Sequence, residues 1–305
     1  MQPAPIPLIS PPADARSLMR VRTHGFWHTT AVRLVRHPTG MLGVVLVGLV
    51  VLGALCAPLI VPAGPLVQVP GEELGALSRH HPFGTDEFGR DILSRVLYGA
   101  RISVGVGLLA VGTGALVGVA AGVIAGYVGG AVDAIVTRLL DVLLAFPPLL
   151  MGIAITVVVG TGAKGVGIAI GVASIPDFAR IARAATLTER EREYVAAARA
   201  LGAPPGRIMG RHLLPNIVPP LLVQLSVALS FAVLLEAGLS FLGIGVQPPA
   251  PSWGSMLQVA RTYLYQVPSY AITVGLTLAL VLIGFNFIAD ALRDILDPRL
   301  NRELR

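Results

Sequence analysis

Long uncharged apolar runs, separated by shorter polar stretches, dominate this chain of 305 residues. A helix needs about 20 apolar residues to cross the hydrocarbon core of a bilayer. The pattern therefore predicts about six transmembrane helices in an all-α polytopic membrane protein. The fourth apolar run ends at Asp177 and is too short to cross the bilayer. Its helix can span the membrane only if it continues past Asp177, with arginine side chains that extend toward the membrane surface. The predicted helices cover about residues 41–62, 102–127, 136–160, 165–184, 216–245 and 268–290.

The polar stretches supply the rest of the predicted organisation. The first apolar run lies too far from residue 1, and is too long, for a cleaved signal peptide. We expect an N-terminal segment, an outer segment, a cytoplasmic loop, an outer loop and a tail, at residues 1–40, 63–101, 185–215, 246–267 and 291–305.

Composition and charge support the membrane assignment. Hydrophobic residues make up 54% of the chain and charged residues 13%, against about 25% charged in soluble domains. The single cysteine, Cys56, excludes an internal disulfide and a cysteine-built metal site. With both termini cytoplasmic, 17 of the 23 Lys and Arg residues lie inside, as the positive-inside rule requires. Topology thus accounts for the net charge of +6 without a nucleic-acid partner.

Glycines recur every fourth residue along the second predicted helix and continue to Gly130. This spacing places them on one helix face, where the missing side chains let another helix approach closely. We favour close helix packing, with a glycine-lined pore as the alternative. The packing residues are Gly114, Gly118, Gly122 and Gly126.

Charged residues before and within the helices need a separate explanation. Asp86, Arg90 and Asp91 belong to a charged outer stretch that forms either a solvated surface or an outer gate or docking site. Glu236 is the deepest intramembrane charge, and we favour structural pairing over a proton or ion relay. Asp141 has a local candidate partner in Arg138, three residues earlier. None of the histidines has the neighbours of a metal site.

The polar segment after the fourth predicted helix is the most unusual part of the chain. Helix formers cover Tyr194–Leu201, and Gly202 then ends that helix. Pro204 and Pro205 prevent its continuation, and a second short helix is predicted over Arg207–Leu213. Such a rigid helix pair suits the groove of a partner protein, although a surface loop without a partner is the simpler alternative. No phosphate loop or catalytic motif accompanies it, so we expect no enzyme activity in this chain.

This segment resembles the coupling loop of ABC-importer permeases, whose pattern is EAA, three residues, Gly, nine residues, Ile, one residue, Leu-Pro. Ala196 and His212 depart from the Glu and Ile of that pattern. By this resemblance the residues that couple to an ATPase are Ala196, Ala197, Ala198, Arg199, Ala200, Leu201, Gly202, Ala203, Arg207, Leu214 and Pro215.

Three further stretches resemble the dipeptide, oligopeptide and nickel branch of the same family, within which the chain looks like the second permease of a peptide importer. They are His81–Ser103, Glu236–Leu257 and Ala291–Arg299. The resemblance implies the transmembrane fold of type I ABC importers in the plasma membrane of a prokaryote. It also implies a homologous second permease, one or two ABC ATPase subunits and an extracytoplasmic solute-binding protein. ATP and magnesium would be bound by the ATPase partners, with no cofactor in this chain.

Two other functions remain open from the residues. A permease for nickel or another small solute would share the same fold and loop. An ion-coupled secondary transporter predicts several interacting carboxylates and paired broken helices in the membrane. The second alternative gives no account of the Ala/Gly/Pro segment around Gly202.

Overall fold

The computed structural model describes residues 25–296, and the described chain is a set of helices joined by loops. Its described elements are α1 (Phe26–Arg36), α2 (Pro38–Leu55), α3 (Ala57–Ile60), α4 (Ile92–Val128), α5 (Gly130–Leu144), α6 (Pro148–Val159), α7 (Ala163–Glu189), α8 (Glu193–Ala200), α9 (Pro205–Arg207), a π-helix (Ile208–Leu213), α10 (Leu214–Phe241), α11 (Trp253–Thr262) and α12 (Pro268–Leu296).

Within residues 25–296, five helical runs are long and apolar enough to span a membrane. They are α2, α4, α7, α12 and the continuous run from α9 through the π-helix to α10. The pair α5 and α6 provides a sixth crossing if the two count as one broken span. The predicted all-α class and the estimate of about six spans are therefore confirmed.

The third span differs from the prediction of one helix over residues 136–160. The structure divides it into α5 and α6, which meet at 92°. Pro147 precedes α6 and Pro148 occupies its first turn. Neither proline has an N–H to donate, and each restricts the residue before it, so the helix cannot run straight through. The result is a bent element beside α7.

The long helix α4 begins ten residues before the predicted start at residue 102, at Ile92. The Asp91 carboxylate caps it by accepting a hydrogen bond of 2.7 Å from the Ser94 N–H. Arg101 then turns outward and donates to the Ala54 carbonyl at 2.6 Å, at the end of α2. Charged side chains are tolerated here because they satisfy the polar groups of helix ends. Prediction from uncharged runs alone therefore misses the first ten residues of α4.

The α4–α7 contact brings two helix backbones together along the glycine face. Gly114, Gly118, Gly122 and Gly126 are all buried against α7. A Cβ placed on Gly118 would lie 2.5 Å from the Ile175 carbonyl oxygen. Only a residue without a side chain fits at that separation. The fifth glycine of the series, Gly130, lies beyond the reversal at Gly129 and has no neighbour that a Cβ would meet.

The Glu236 side chain is fully buried where α4, α10 and α11 meet. Ser240 donates to its carboxylate at 2.7 Å, and Ser103 and Ser252 face the same group. Ser103 also accepts a hydrogen bond from the Trp253 backbone at 3.1 Å. The carboxylate thus sits in a cluster of serines from three elements, and its structural role remains a prediction.

We predict that Gly118→Leu prevents folding of the α4–α7 pair, because the new side chain would overlap the α7 backbone. Overpacking of this kind costs about 1–3 kcal/mol or more. Gly112→Leu on the same helix is the matched control, since a Cβ at Gly112 meets nothing within 4 Å. The measurement is the monodisperse yield and melting temperature of each variant in detergent. Equal values for both variants would contradict the close-packing assignment.

Candidate functional site: the loop between α7 and α10

The loop between α7 and α10 contains a projecting element made of α8 and α9, residues 193–207, here called the α8–α9 element. At its centre Gly202 has a φ of +75°. The Gly202 N–H bonds to the Arg199 carbonyl at 2.9 Å, and the Ala203 N–H bonds to the Ala198 carbonyl at 3.0 Å. This pair of bonds is a Schellman motif, which favours glycine at the left-handed position. Pro204 and Pro205 then begin α9.

A small hydrophobic core fixes the α8–α9 element from the inside. Val195, Ala198, Ile208 and Leu213 are buried together, with Tyr127 from the end of α4 packed against them. The side of α8 that faces this core therefore contacts both the π-helix and α4. A loop with its own core is a rigid body and not a flexible connector.

Polar contacts tie the loop between α7 and α10 to the membrane helices. Arg190 donates to the Gly126 carbonyl at 2.7 Å, and the Arg199 guanidinium lies 5.1 Å from the centre of the Tyr127 ring. The Tyr194 hydroxyl donates to Glu189 at 2.7 Å. Burial of the phenol, followed by its bond to Glu189, raises the pKa of Tyr194 to about 12. The hydroxyl therefore stays protonated and remains a donor at neutral pH.

The outer face of the α8–α9 element presents small side chains to solvent. Leu201 is 87% exposed at its tip. Ala198 is buried in the inner core and Ala203 is half-buried, whereas Leu214 and Pro215 are exposed in the first turn of α10. The other residues predicted to couple to an ATPase are exposed, namely Ala196, Ala197, Arg199, Ala200, Leu201, Gly202 and Arg207. Most of the predicted set is therefore accessible to solvent.

Sequence reasoning missed the residues that hold this surface in place. Tyr127, Arg190 and Asn216 lie outside the family pattern, and their partners are distant in sequence. Asn216, for example, donates to the Tyr194 hydroxyl at 3.2 Å. Within α8, Val195 and Ala198 are three residues apart and therefore lie on the same helix face. Only this spacing indicates from the sequence that one face of α8 is buried.

The charged residues predicted as an outer gate or docking site lie elsewhere, between α3 and α4. Asp86 is fully buried and accepts from Arg90 at 2.6 Å, and Arg95 lies 3.1 Å from the same carboxylate. Asp91 caps α4 and contacts His81 at 3.0 Å. These side chains hold the outer segment together. Asp86 and Arg90 are buried and Asp91 is half-buried, so they do not form a solvated face, and their role as an outer gate or docking site remains a prediction.

Glu87 completes this charged cluster. Its carboxylate accepts from the Arg90 guanidinium at 2.9 Å. Burial nevertheless raises the pKa of Glu87 above its ordinary value. Across residues 25–296, no group of three or more His, Cys, Asp or Glu side chains is arranged to hold a metal ion.

Comparison with protein families gives two matches along the chain. Residues 118–302 match the family described as binding-protein-dependent transport system inner membrane component. Residues 25–76 match the N-terminal transmembrane domain of oligopeptide transport permease C. The first match spans α7, the α8–α9 element and α10, so it includes the whole loop described above.

Several relatives match over nearly their whole length. The dipeptide transport system permease protein DppC of Alkalihalophilus pseudofirmus is 38% identical, over 90% of each chain. The di/tripeptide transport system permease protein DppC of Pseudomonas aeruginosa is 40% identical, over 90% of this chain and 91% of its own. The glutathione transport system permease protein GsiD of Escherichia coli is 38% identical, over 97% of this chain and 95% of its own.

Among solved structures, the inward-facing MetNI methionine ABC transporter contains a similar chain. The TM-score is 0.55 at 20% identity, with 67% of this chain and 96% of that chain covered. This likeness concerns the fold, and it agrees with the predicted importer architecture. On the family match and the long relatives together, the chain belongs to the family of binding-protein-dependent transport system inner membrane components and is a membrane-spanning permease.

Proposed function

We propose that this permease moves di- or oligopeptides across the plasma membrane of a prokaryote as one subunit of an ATP-driven importer. The observation that carries the proposal is the α8–α9 element, a rigid and exposed projection built on the ends of the membrane helices. The peptide cargo is supported by the relatives, which are named for dipeptide, di/tripeptide and glutathione transport.

The proposed complex has four kinds of component. This chain pairs with a homologous second permease, and one or two ABC ATPase subunits bind the α8–α9 elements. An extracytoplasmic solute-binding protein delivers the cargo. Nucleotide and magnesium are held by the ATPase subunits, and this chain contributes no cofactor. The arginine-rich α8 side is cytoplasmic, and so are both termini, in line with the positive-inside rule.

The contacts of the α8–α9 element suggest how ATPase motion reaches the membrane. The Arg199 contact with Tyr127 joins the element to α4, and the Arg190 bond to Gly126 joins the end of α7 to α4 just before the element begins. The π-helix joins it without a break to α10. When the ATPase subunits close on ATP, the element moves with them and shifts α4 and α10. The permease pair then exchanges its inward- and outward-open states, which is alternating access.

We predict that Gly202→Pro and Gly202→Leu uncouple ATP hydrolysis from uptake while the chain still inserts in the membrane. A left-handed φ costs a residue with a side chain about 1–2 kcal/mol, and proline cannot adopt it. The measurement is ATPase activity and cargo uptake by the reconstituted complex. Gly202→Asn is the matched control, because asparagine tolerates this conformation. Normal uptake in the proline variant would refute the role of the turn.

We predict that cysteines at Ala200 or Arg207 crosslink to an ATPase subunit through a short bismaleimide. The single native cysteine, Cys56, is first replaced by serine. A cysteine at Val67, which is 49% exposed in the outer segment, is the control and should capture no ATPase. If Ala200→Cys and Arg207→Cys label freely with a water-soluble maleimide in the assembled complex and capture nothing, the docking assignment fails.

We predict that deleting the gene in its own organism abolishes uptake of labelled di- or oligopeptides, and that the wild-type gene restores it. Uptake of labelled nickel in the same strains distinguishes the small-solute alternative. Unchanged peptide uptake with lost nickel uptake would contradict the peptide cargo. Uptake that survives depletion of ATP but stops when the ion gradients are collapsed would instead favour a secondary transporter.

A further inference from the structure

Helix α1 lies immediately before the first membrane span and at an angle to it. His37, the only residue between α1 and α2, has an extended backbone with φ −77° and ψ +130°. Leu34 packs beside Gly40, where a Cβ would lie 2.9 Å from a Leu34 side-chain carbon and 3.0 Å from the Ala291 Cβ. The last turn of α1 is thereby held against α2 and α12.

The length of α2 places α1 at the membrane boundary. Its 18 residues extend about 27 Å at 1.5 Å each, whereas the hydrocarbon core is about 30 Å thick. The whole of α2 is therefore needed for the crossing. Only His37 separates α1 from α2. Helix α1 is therefore placed at the level of the lipid headgroups.

The surface of α1 divides into three faces. Thr30 is buried against the rest of the protein. Trp27 and Val35 are 63% and 52% exposed, and the exposed Ala31 lies between them on the same stripe at intervals of four residues. His28 lies beside this stripe. One face of α1 is thus apolar, exposed and headed by a tryptophan.

The basic residues of α1 occupy the side away from that stripe. Arg33 and Arg36 are both exposed and lie in the last turn, closest to the start of α2. At 100° per residue, they point roughly opposite to the centre of the apolar stripe. An apolar face with tryptophan and a basic polar face are the two marks of a helix that lies in the membrane interface. α1 carries no acidic residue that would oppose an anionic surface.

We propose that α1 is a lipid-binding element that recognises the anionic surface of the membrane in which the permease sits. The stripe of Trp27, Ala31 and Val35 inserts at the boundary between headgroups and acyl chains. Arg33 and Arg36 bind the phosphates of anionic phospholipids. Each arginine near such a surface strengthens the attachment about fivefold at physiological salt. Leu34 and Ala291 both pack beside Gly40, and α1 contacts α2 and α12, so this surface contact is connected to both helices.

Tryptophan fluorescence tests the insertion. The chain contains two tryptophans, and the other, Trp253, is fully buried. The full chain, assembled with its partner subunits, is reconstituted in vesicles of phosphatidylcholine and phosphatidylglycerol that carry bromine at different acyl depths. The signal of Trp27 is the difference between wild type and Trp27→Phe, so other tryptophans cancel. We expect bromine near the headgroups to quench this signal more than bromine near the chain ends.

Two results would overturn the insertion. Quenching of the difference signal by aqueous iodide, with no effect of brominated lipid, would place Trp27 in water. Protection from both quenchers would mean that a partner subunit or a second copy covers the stripe. Either result leaves the importer function untouched, since that function is measured by uptake and crosslinking.

A charge-reversal variant tests the recognition of anionic lipid. In wild type, adding phosphatidylglycerol to phosphatidylcholine vesicles should increase the lipid quenching of Trp27, and high salt should reverse the increase. We expect Arg33→Glu with Arg36→Glu to lose this increase. Arg79→Glu, on an exposed residue of the outer segment, is the matched control and should retain it. An increase that persists in the double variant, or is absent in wild type, would overturn the proposed recognition of anionic phospholipid.

Discussion

The close approach of α4 and α7 is the contact on which the rest of the structure depends. In a bilayer the hydrophobic effect does not drive helices together, so association relies on close packing and polar contacts. The glycine face of α4 supplies the packing at positions such as Gly118 and Gly122, where the α7 backbone takes the place of a side chain. The same pair also positions the loop, because Gly126 at the end of α4 receives the Arg190 bond. The separation of two backbones thus sets the position of the loop that carries the α8–α9 element.

Both ends of α4 are fixed by polar contacts. At one end the Asp91 cap, the Asp86–Arg95 pair and the serines around Glu236 join it to the outer segment and α11. At the other end, the Tyr127 ring contacts Arg199 of α8, and the Gly126 carbonyl accepts a hydrogen bond from Arg190 at the end of α7. A change at either end therefore acts on a helix with little freedom to move alone.

Features that arise from local chemistry could be predicted from the sequence alone. Apolar runs located the spans, and glycine followed by two prolines located the turn at Gly202. Features that depend on distant partners were not predictable. Asp141 lies 3.6 Å from Arg180 of α7 rather than beside Arg138, its nearest basic neighbour in sequence. Ser240 follows Glu236 by four residues on the same helix, but Ser103 and Ser252 come from distant parts of the chain, and no local spacing relates them to Glu236. Pro147 and Pro148 indicate the break between α5 and α6. The continuous hydropathy across them nevertheless led to the prediction of a single helix.

The continuity of α9, the π-helix and α10 has a mechanical consequence. The run from Pro205 to Phe241 contains 37 residues, which corresponds to about 55 Å of helix. If the run pivots near one end, a tilt of about five degrees displaces the other end by about 5 Å, the rise of one helical turn. The chain therefore has the proportions of a lever arm, in which a small rotation at the α8–α9 end displaces the other end of the run by about one helical turn.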